Sequence, residues 1–288
     1  MSLVSRRIID TTGVTIQVTD TGDGEPALVF LHYWDGSSRT WQDVIDRLGG
    51  WPRASALDQR GWGGSVATDG RYDLSDAEAV ARALGLNRYG SAIRWAARWR
   101  RSSPHGGLLG LSASCLSRRR RRRQCRCPNH NAPPCSPPTA PARGVEQSLS
   151  VLAGGPLLPK LREQVIEDTL RGAPAAKRAW TERNMIEDIT AGLDAVTVPV
   201  TVVMGDRDQV EHEHALRKTF ARFLPQATFR VLRGIGHLSP LEAPEALGTP
   251  AGISESRLMK PRDWQCACSC AVSWRRFCDV KFANIEPE

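Results

Sequence analysis

The sequence predicts an α/β protein with a mainly parallel central sheet and helices on both faces. Three observations lead there. Ala27–Leu31 and Val198–Met204 are apolar runs of strand length without polar alternation, the pattern of strands buried on both faces. Each is followed by a segment of helical spacing, Ser38–Leu48 and Ala215–Phe223. Strand-like and helix-like segments keep alternating on both sides of a break in the middle of the chain, as in a parallel sheet with helical crossovers.

Taken in order, Thr15–Thr19 alternates like a strand with one exposed face, and residues 21–24 (TGDG) are a turn. Ala27–Leu31 is the first buried strand. In the helix after it, Trp41, Val44, Ile45 and Leu48 share one side. Ala54–Leu57 is a short strand running into a glycine-rich loop, DQRGWGGS, at Asp58–Ser65. Asp76–Leu84 is a helix with Gly85 as its stop. Beyond the break, Leu161–Leu170 and Ala175–Ile186 read as helices and Val198–Met204 as a strand ending in Gly205-Asp206-Arg207-Asp208. Ala215–Phe223 is a helix, and Ala227–Leu232 a last strand leading to Gly234-Ile235-Gly236-His237. There is no internal repeat.

At 288 residues and 41% hydrophobic content, the chain is long enough for one large domain or two small ones. No apolar run reaches the length of a membrane span. Arg6 and Arg7 are followed by no apolar stretch, so a secretory leader is not expected and the expected location is the cytoplasm, away from any membrane.

The net charge of +8 is unevenly placed. Residues 88–144 hold 13 arginines and no lysine or acid; without them the chain carries −5. Six consecutive arginines, Arg118–Arg123, precede six prolines between Pro128 and Pro141. The cysteines form two groups: Cys115, Cys125, Cys127 and Cys135, then Cys266, Cys268, Cys270 and Cys278. Residues 90–144 alone read as basic and disordered, and from about Gly248 the periodicity fails again. The expected organisation is an N-terminal half over 1–89, the anomalous segment 90–144, a helical region 145–190, a C-terminal half 191–247 and an anomalous tail 248–288.

Asp208 and His237 each lie just past an apolar strand with a helix between them. Strand C-termini of an open α/β sheet gather at one edge, where ligands bind. The two residues are therefore expected to face one crevice. There a carboxylate can fix the tautomer of a histidine and stabilise the imidazolium. A third feature, Leu31-His32-Tyr33-Trp34-Asp35-Gly36, also ends a strand and can aim backbone N–H groups at an oxyanion.

Four segments, LVFLHYWDGSSRTW, ALDQRGWGGS, VPVTVVMGDRDQV and GIGHLSPLEAPEAL, occur in an order that resembles the α/β-hydrolase superfamily, near its small bacterial esterases, lactonases and haloperoxidase-like enzymes. The resemblance covers roughly residues 8–89 and 145–247. It implies an α/β-hydrolase fold with a helical cap at 145–190 and a middle segment disrupted by the break. It assigns Asp208 as the acid, His237 as the base, and His32-Tyr33-Trp34 as the oxyanion and substrate-binding turn, the Trp34 N–H being one donor. Tyr33 replaces the usual glycine. The implied reaction is hydrolysis of a small-molecule ester or lactone, with no cofactor and no specific nucleic-acid partner; the oligomeric state is left open.

The resemblance also requires a Gly-x-Ser-x-Gly elbow soon after Asn87-Arg88-Tyr89. None occurs in the chain; Gly90-Ser91-Ala92-Ile93-Arg94-Trp95 stands there instead. A change of reading frame accounts for this. Ser91–Arg100 can be encoded as TCG GCC ATT CGA TGG GCG GCA AGG TGG CGC. Read from the last base of the serine codon, the same bases give Gly-His-Ser-Met-Gly-Gly-Lys-Val-Ala. The tryptophan codon is unique, so Trp95 followed by Ala96 forces a glycine in the shifted frame, where the elbow needs one. Residues 90 to about 144 are thus read as out-of-frame translation, and the tail as a second such event. The chain as written then lacks its nucleophile and is expected to be inactive and poorly folded, with the central sheet interrupted.

Other readings attach to the remaining residues. Asp35 and Arg60 are expected to be loop residues with structural hydrogen bonds. Glu211, His212 and His214 are read as solvated residues at a helix start rather than metal ligands. Cys125, Cys127, His130 and Cys135 do not match a zinc spacing, and neither do the tail cysteines. The arginine run would bind polyanions in a salt-dependent way, so a basic nucleic-acid-binding protein is one alternative. A non-catalytic hydrolase-fold binding protein is another.

Overall fold

The structure is a computed structural model and describes residues 4–11, 13–21, 27–50, 53–68, 70–72, 76–85, 89–93, 106–109, 142–182 and 200–248. Side chains of β3 (Ala27–Leu31) show why the sheet needs two layers of helices. Ala27, Val29 and Leu31 point into one core and Leu28 and Phe30 into another, as the two-residue period of a strand dictates. A five-residue apolar run can be stable only with cover on both faces.

On one face lie the 3-10 turn Ser38–Trp41, α1 (Gln42–Arg47) and Leu247 of α8 (Pro244–Leu247). Trp41 packs on Phe30 and donates its indole N–H to the Leu31 carbonyl at 3.0 Å. The opposite face is covered by α2 (Asp76–Ala83) and α6 (Glu213–Phe223), through Val80, Ala81, Leu84, Leu216, Phe220 and Leu224. Gly85 ends α2 at φ 67°, a conformation that costs glycine little.

The other strands are β1 (Val4–Thr11), β2 (Val14–Thr21), β4 (Arg53–Leu57), β5 (Val66–Ala67), β6 (Tyr89–Ile93), β7 (Gly106–Leu109), β8 (Val200–Gly205) and β9 (Thr228–Leu232). Their order is β1-β2-β4-β3-β6-β7-β8-β9, with β5 paired to β2. β2 pairs antiparallel with β1, β4 and β5. Every pair from β4 to β9 is parallel. Three helices, α3 (Ala142–Leu152), α4 (Pro159–Arg171) and α5 (Pro174–Glu182), lie between β7 and β8 in the chain. Pro159 opens α4 where its missing N–H costs nothing.

The sheet is not interrupted where the sequence predicts a break. β6 pairs along the whole of β3, from Ala27↔Tyr89 to Leu31↔Ile93, and β7 links β6 to β8. The backbone can take these positions because strand pairing uses main-chain groups that any sequence supplies. Residues 94–105, 110–141 and 249–288 lie outside the described residues, and with them the arginine run, both cysteine groups and His130. Ile186, at the end of the helix expected over 175–186, lies outside them as well. Among the described residues no helix is long and apolar enough to cross a membrane.

Candidate active site

β8 and β9 end level with one another, at Gly205↔Leu232. The turns that follow carry Asp208 and His237, and the two side chains meet: His237 Nδ1 lies 2.8 Å from Asp208 Oδ2, both residues being buried. The other carboxylate oxygen, Oδ1, accepts the N–H groups of Val210 at 2.8 Å and Glu211 at 2.9 Å. One side of the carboxylate is thus fixed by backbone and the other presents to the imidazole. With Nδ1 protonated toward Asp208, Nε2 is left as the basic nitrogen, the tautomer a general base needs.

The His237 turn is held closely. Gly205 and Gly236 admit no side chain: a Cβ on Gly205 would collide with the Ile235 carbonyl, and one on Gly236 with the Gly154 nitrogen. His237 donates its N–H to Leu152 O at 2.6 Å, and Glu242, at the end of α7 (Ser239–Glu242), accepts from backbone N–H groups on either side of the histidine. Sequence reading missed Glu242. The available signal was an acid five residues after the histidine, the first of two in LEAPE.

The turn after β3 reaches the same edge. Tyr33 joins Leu238, Leu241, Val145, Leu149 and Val165 in a third cluster that ties this turn to the His237 turn, α3 and α4. His32, expected in the substrate-binding turn, has both ring nitrogens occupied: Nδ1 bonds the Tyr33 carbonyl at 2.7 Å and Nε2 accepts the Gln59 N–H at 3.0 Å. Complete burial pushes its pKa down, so the ring is a neutral brace between the β3 and β4 turns rather than a group offered to a ligand. Trp34 stacks edge-on against Trp62, at 6.2 Å between ring centroids. Its indole Nε1 is buried without a hydrogen-bond partner.

The Asp35 carbonyl accepts from Thr169 Oγ1 at 3.4 Å, one of the structural bonds expected of it, but the Asp35 side chain departs from that expectation. The residue has φ 70°, and its Oδ1 is buried without a hydrogen-bond partner; Lys177 Nζ on α5 is 3.9 Å away. Burial pushes its carboxyl up to about 7, against the opposing pull of Lys177. Arg60 does make the structural bonds expected of it, a bidentate pair with buried Asp76 at 2.6 and 2.5 Å. Nearby, Asp168 of α4 accepts from Ser37 Oγ at 2.8 Å and from Arg39 at 2.6 and 3.1 Å, fastening α4 to the β3 turn. Burial still leaves the Asp168 carboxyl above its ordinary range, with the Arg39 and Ser37 bonds opposing.

β6 ends between the β3 and β7 strand ends, with Ile93 level with Leu31. The place where a nucleophile would follow this strand begins at Arg94, outside the described residues. His212 and His214 stand at the start of α6, and Glu211 gives its N–H to Asp208. Among the described residues no cluster of three metal-ligating side chains occurs.

No protein-family model matches the chain, and no curated protein matches it. Solved structures do. A carboxylesterase from Bacillus subtilis superposes with a TM-score of 0.69 at 18% identity, over 85% of this chain and 89% of that one. An esterase from Exiguobacterium antarcticum gives 0.69 at 17% identity, over 88% and 99%. A protein described as an N-acyl homoserine lactone degrading enzyme gives 0.67 at 19% identity, over 84% and 97%. Identities this low speak for the fold alone. With a parallel sheet from β4 to β9 and an acid and a histidine at the ends of β8 and β9, the chain has the α/β-hydrolase fold.

Proposed function

We propose that this chain is a hydrolase of carboxylic ester or lactone bonds whose acid and base are intact and whose serine nucleophile has been lost to a change of reading frame. The observation that carries the reading is the buried Asp208–His237 pair, closed at 2.8 Å on the sheet edge where the β3 turn also lies. A second observation supports its genetic half. The shifted-frame serine spans the codons of Ile93 and Arg94, and β6 ends at Ile93, level with the end of β3. A serine encoded there would follow the end of β6, which is where this reading needs one.

A serine hydroxyl at the end of β6 gives its proton to His237 Nε2 as its oxygen bonds to the substrate carbonyl carbon. The carbonyl oxygen takes the charge and accepts N–H groups from the residue after the serine and from Trp34, whose N–H has no other partner among the described residues. Collapse expels the alcohol, which takes the proton back from His237. Water then repeats the sequence on the acyl-serine and frees the acid. Asp208 keeps the ring in its tautomer and stabilises the imidazolium throughout. The helices α3–α5 serve as the cap over this edge. The chain as encoded has Ile93 and Arg94 at the nucleophile's place, so it binds without turnover.

The test is an assay on short p-nitrophenyl esters and on an N-acyl homoserine lactone, with the full chain verified by intact mass beside the protein from the frame-restored gene. Turnover by the restored protein, silence of the full chain and loss of turnover on His237→Ala are the expected results. A restored protein that hydrolyses none of these compounds contradicts the ester or lactone reading. A full chain with normal turnover contradicts the lost nucleophile.

A further inference from the structure

Among the described residues, Glu242 is the acid that bonds to both neighbours of the histidine. Its Oε1 accepts the Leu238 N–H at 3.0 Å and shares the Gly236 N–H at 3.2 Å; its Oε2 accepts Gly236 at 3.0 Å and Gly154 at 2.7 Å. Gly236 and Leu238 are the immediate neighbours of His237. The plane after His237 carries the Leu238 N–H held by Glu242, and the plane before it carries the His237 N–H held by Leu152 O; peptide units are planar, so fixing both leaves little freedom to the direction of the Cα–Cβ bond. That direction decides whether the imidazole reaches Asp208.

The third bond leads elsewhere. Gly154 follows the C-terminus of α3, and the same short stretch is bonded once more to the histidine turn and once to the Asp208 turn. His237 donates its N–H to Leu152 O at 2.6 Å, and Arg207 Nη1 donates to Gly154 O at 3.0 Å. Gly154 and Gly236 pack backbone against backbone, at a separation that leaves no room for a Cβ on either. One carboxylate therefore joins the histidine turn to the end of α3.

We infer that Glu242 is a positioning residue for His237, holding the imidazole in line with Asp208 and locking that alignment to the α3 terminus. Its kinetic consequence rests on the hydrolase reading above; its geometric consequence does not. Replacement by glutamine separates charge from shape. Glutamine keeps one acceptor oxygen but sets an NH₂ group against either Gly154 or Leu238, so about half of the bonding survives.

The test has two arms. In the full chain, NMR follows the downfield proton between His237 Nδ1 and Asp208 and the exchange rates of the Gly154, Gly236 and Leu238 amides. Glu242→Ala is expected to abolish or broaden the downfield signal and to speed those amides about tenfold or more. In the frame-restored protein, it is expected to lower kcat about 100-fold with KM within about threefold, the size of effect expected of a base displaced by ~1 Å. Glu242→Gln is expected to give an intermediate loss of about tenfold. A folded Glu242→Ala protein with faster amides but an unchanged downfield proton and unchanged kcat overturns the inference, because a merely structural acid would behave so. Should the alanine variant fail to fold, Glu242→Gln is read by the same signals, and unchanged values there overturn it equally. A frame-restored protein with native Glu242 and no turnover sinks the hydrolase reading, while the NMR arm still decides Glu242.

Discussion

Asp208 divides its carboxylate between two tasks: Oδ2 meets His237 Nδ1 at 2.8 Å, and Oδ1 takes the backbone N–H groups of Val210 and Glu211. The division makes the two substitutions at this position separable. Asp208→Asn keeps an oxygen for the backbone and offers the histidine an NH₂ group, which favours the wrong tautomer. It is expected to leave the melting temperature within a few degrees and to lower kcat of the frame-restored enzyme by about 10⁴-fold, as loss of the orienting carboxylate does elsewhere. Asp208→Ala also strands the buried N–H of Glu211 and the part-buried N–H of Val210, and is expected to cost about 1–3 kcal/mol in denaturant unfolding.

Asp35 contributes to the pH dependence of stability, beside the buried His32 and Asp168. Burial holds its folded-state pKa up at about 7, above the ordinary 3.8 that serves the unfolded chain. The folded protein therefore binds the extra proton. This stability is fully present below about pH 4 and is lost as pH rises through about 7. Asn tolerates the left-handed backbone found here at φ 70°. Asp35→Asn is expected to flatten the pH profile of unfolding free energy between pH 4.5 and 8. It should stabilise the protein at pH 8 by roughly a few kcal/mol and leave pH 4.5 nearly unchanged.

Gly236 has no space for a methyl group against Gly154. Gly236→Ala is expected to destabilise the fold by about 1–3 kcal/mol through overpacking. It should also weaken the His237 bond to Leu152, read as faster exchange of the His237 amide.

Asp168 joins α4 to the β3 turn through Ser37 and Arg39. Asp168→Ala removes a buried acceptor of three donors and leaves the Ser37 hydroxyl unsatisfied. Arg39 is over a third exposed and keeps Glu167 as a partner, so the cost falls mainly on the Ser37 hydroxyl, and the expected loss is about 1–3 kcal/mol in chemical denaturation.

The parts of the fold legible in the sequence were those with one strong local pattern. Ala27–Leu31 could be little else than a buried strand, and the residues around Trp41 and Phe220 had clear helical spacing. β1 escaped because Arg6 and Arg7 blur its alternation; it is an edge strand held by pairing with β2. α3 falls mostly in the helical region expected over 145–190, but its bounds were not legible because Ala142–Leu152 begins inside the proline- and arginine-rich stretch; α7 and α8 escaped because four residues carry no period. At the site, Asp208, His237 and the β3 turn were visible from strand ends alone. The bracing role of His32 was not, since it depends on Gln59 in a turn 27 residues away. Glu242 was hidden for the same reason: its partners are backbone amides, which leave no trace in side-chain spelling.

The most direct measurement is to read the gene's DNA across codons 85–150. An intact Gly-x-Ser-x-Gly elbow in a shifted frame, with its serine spanning the codons of Ile93 and Arg94 at the end of β6, is the predicted result. A read in which neither alternative frame encodes such an elbow would contradict the lost nucleophile. Asp208 and His237 would then be a buried pair with no serine to activate.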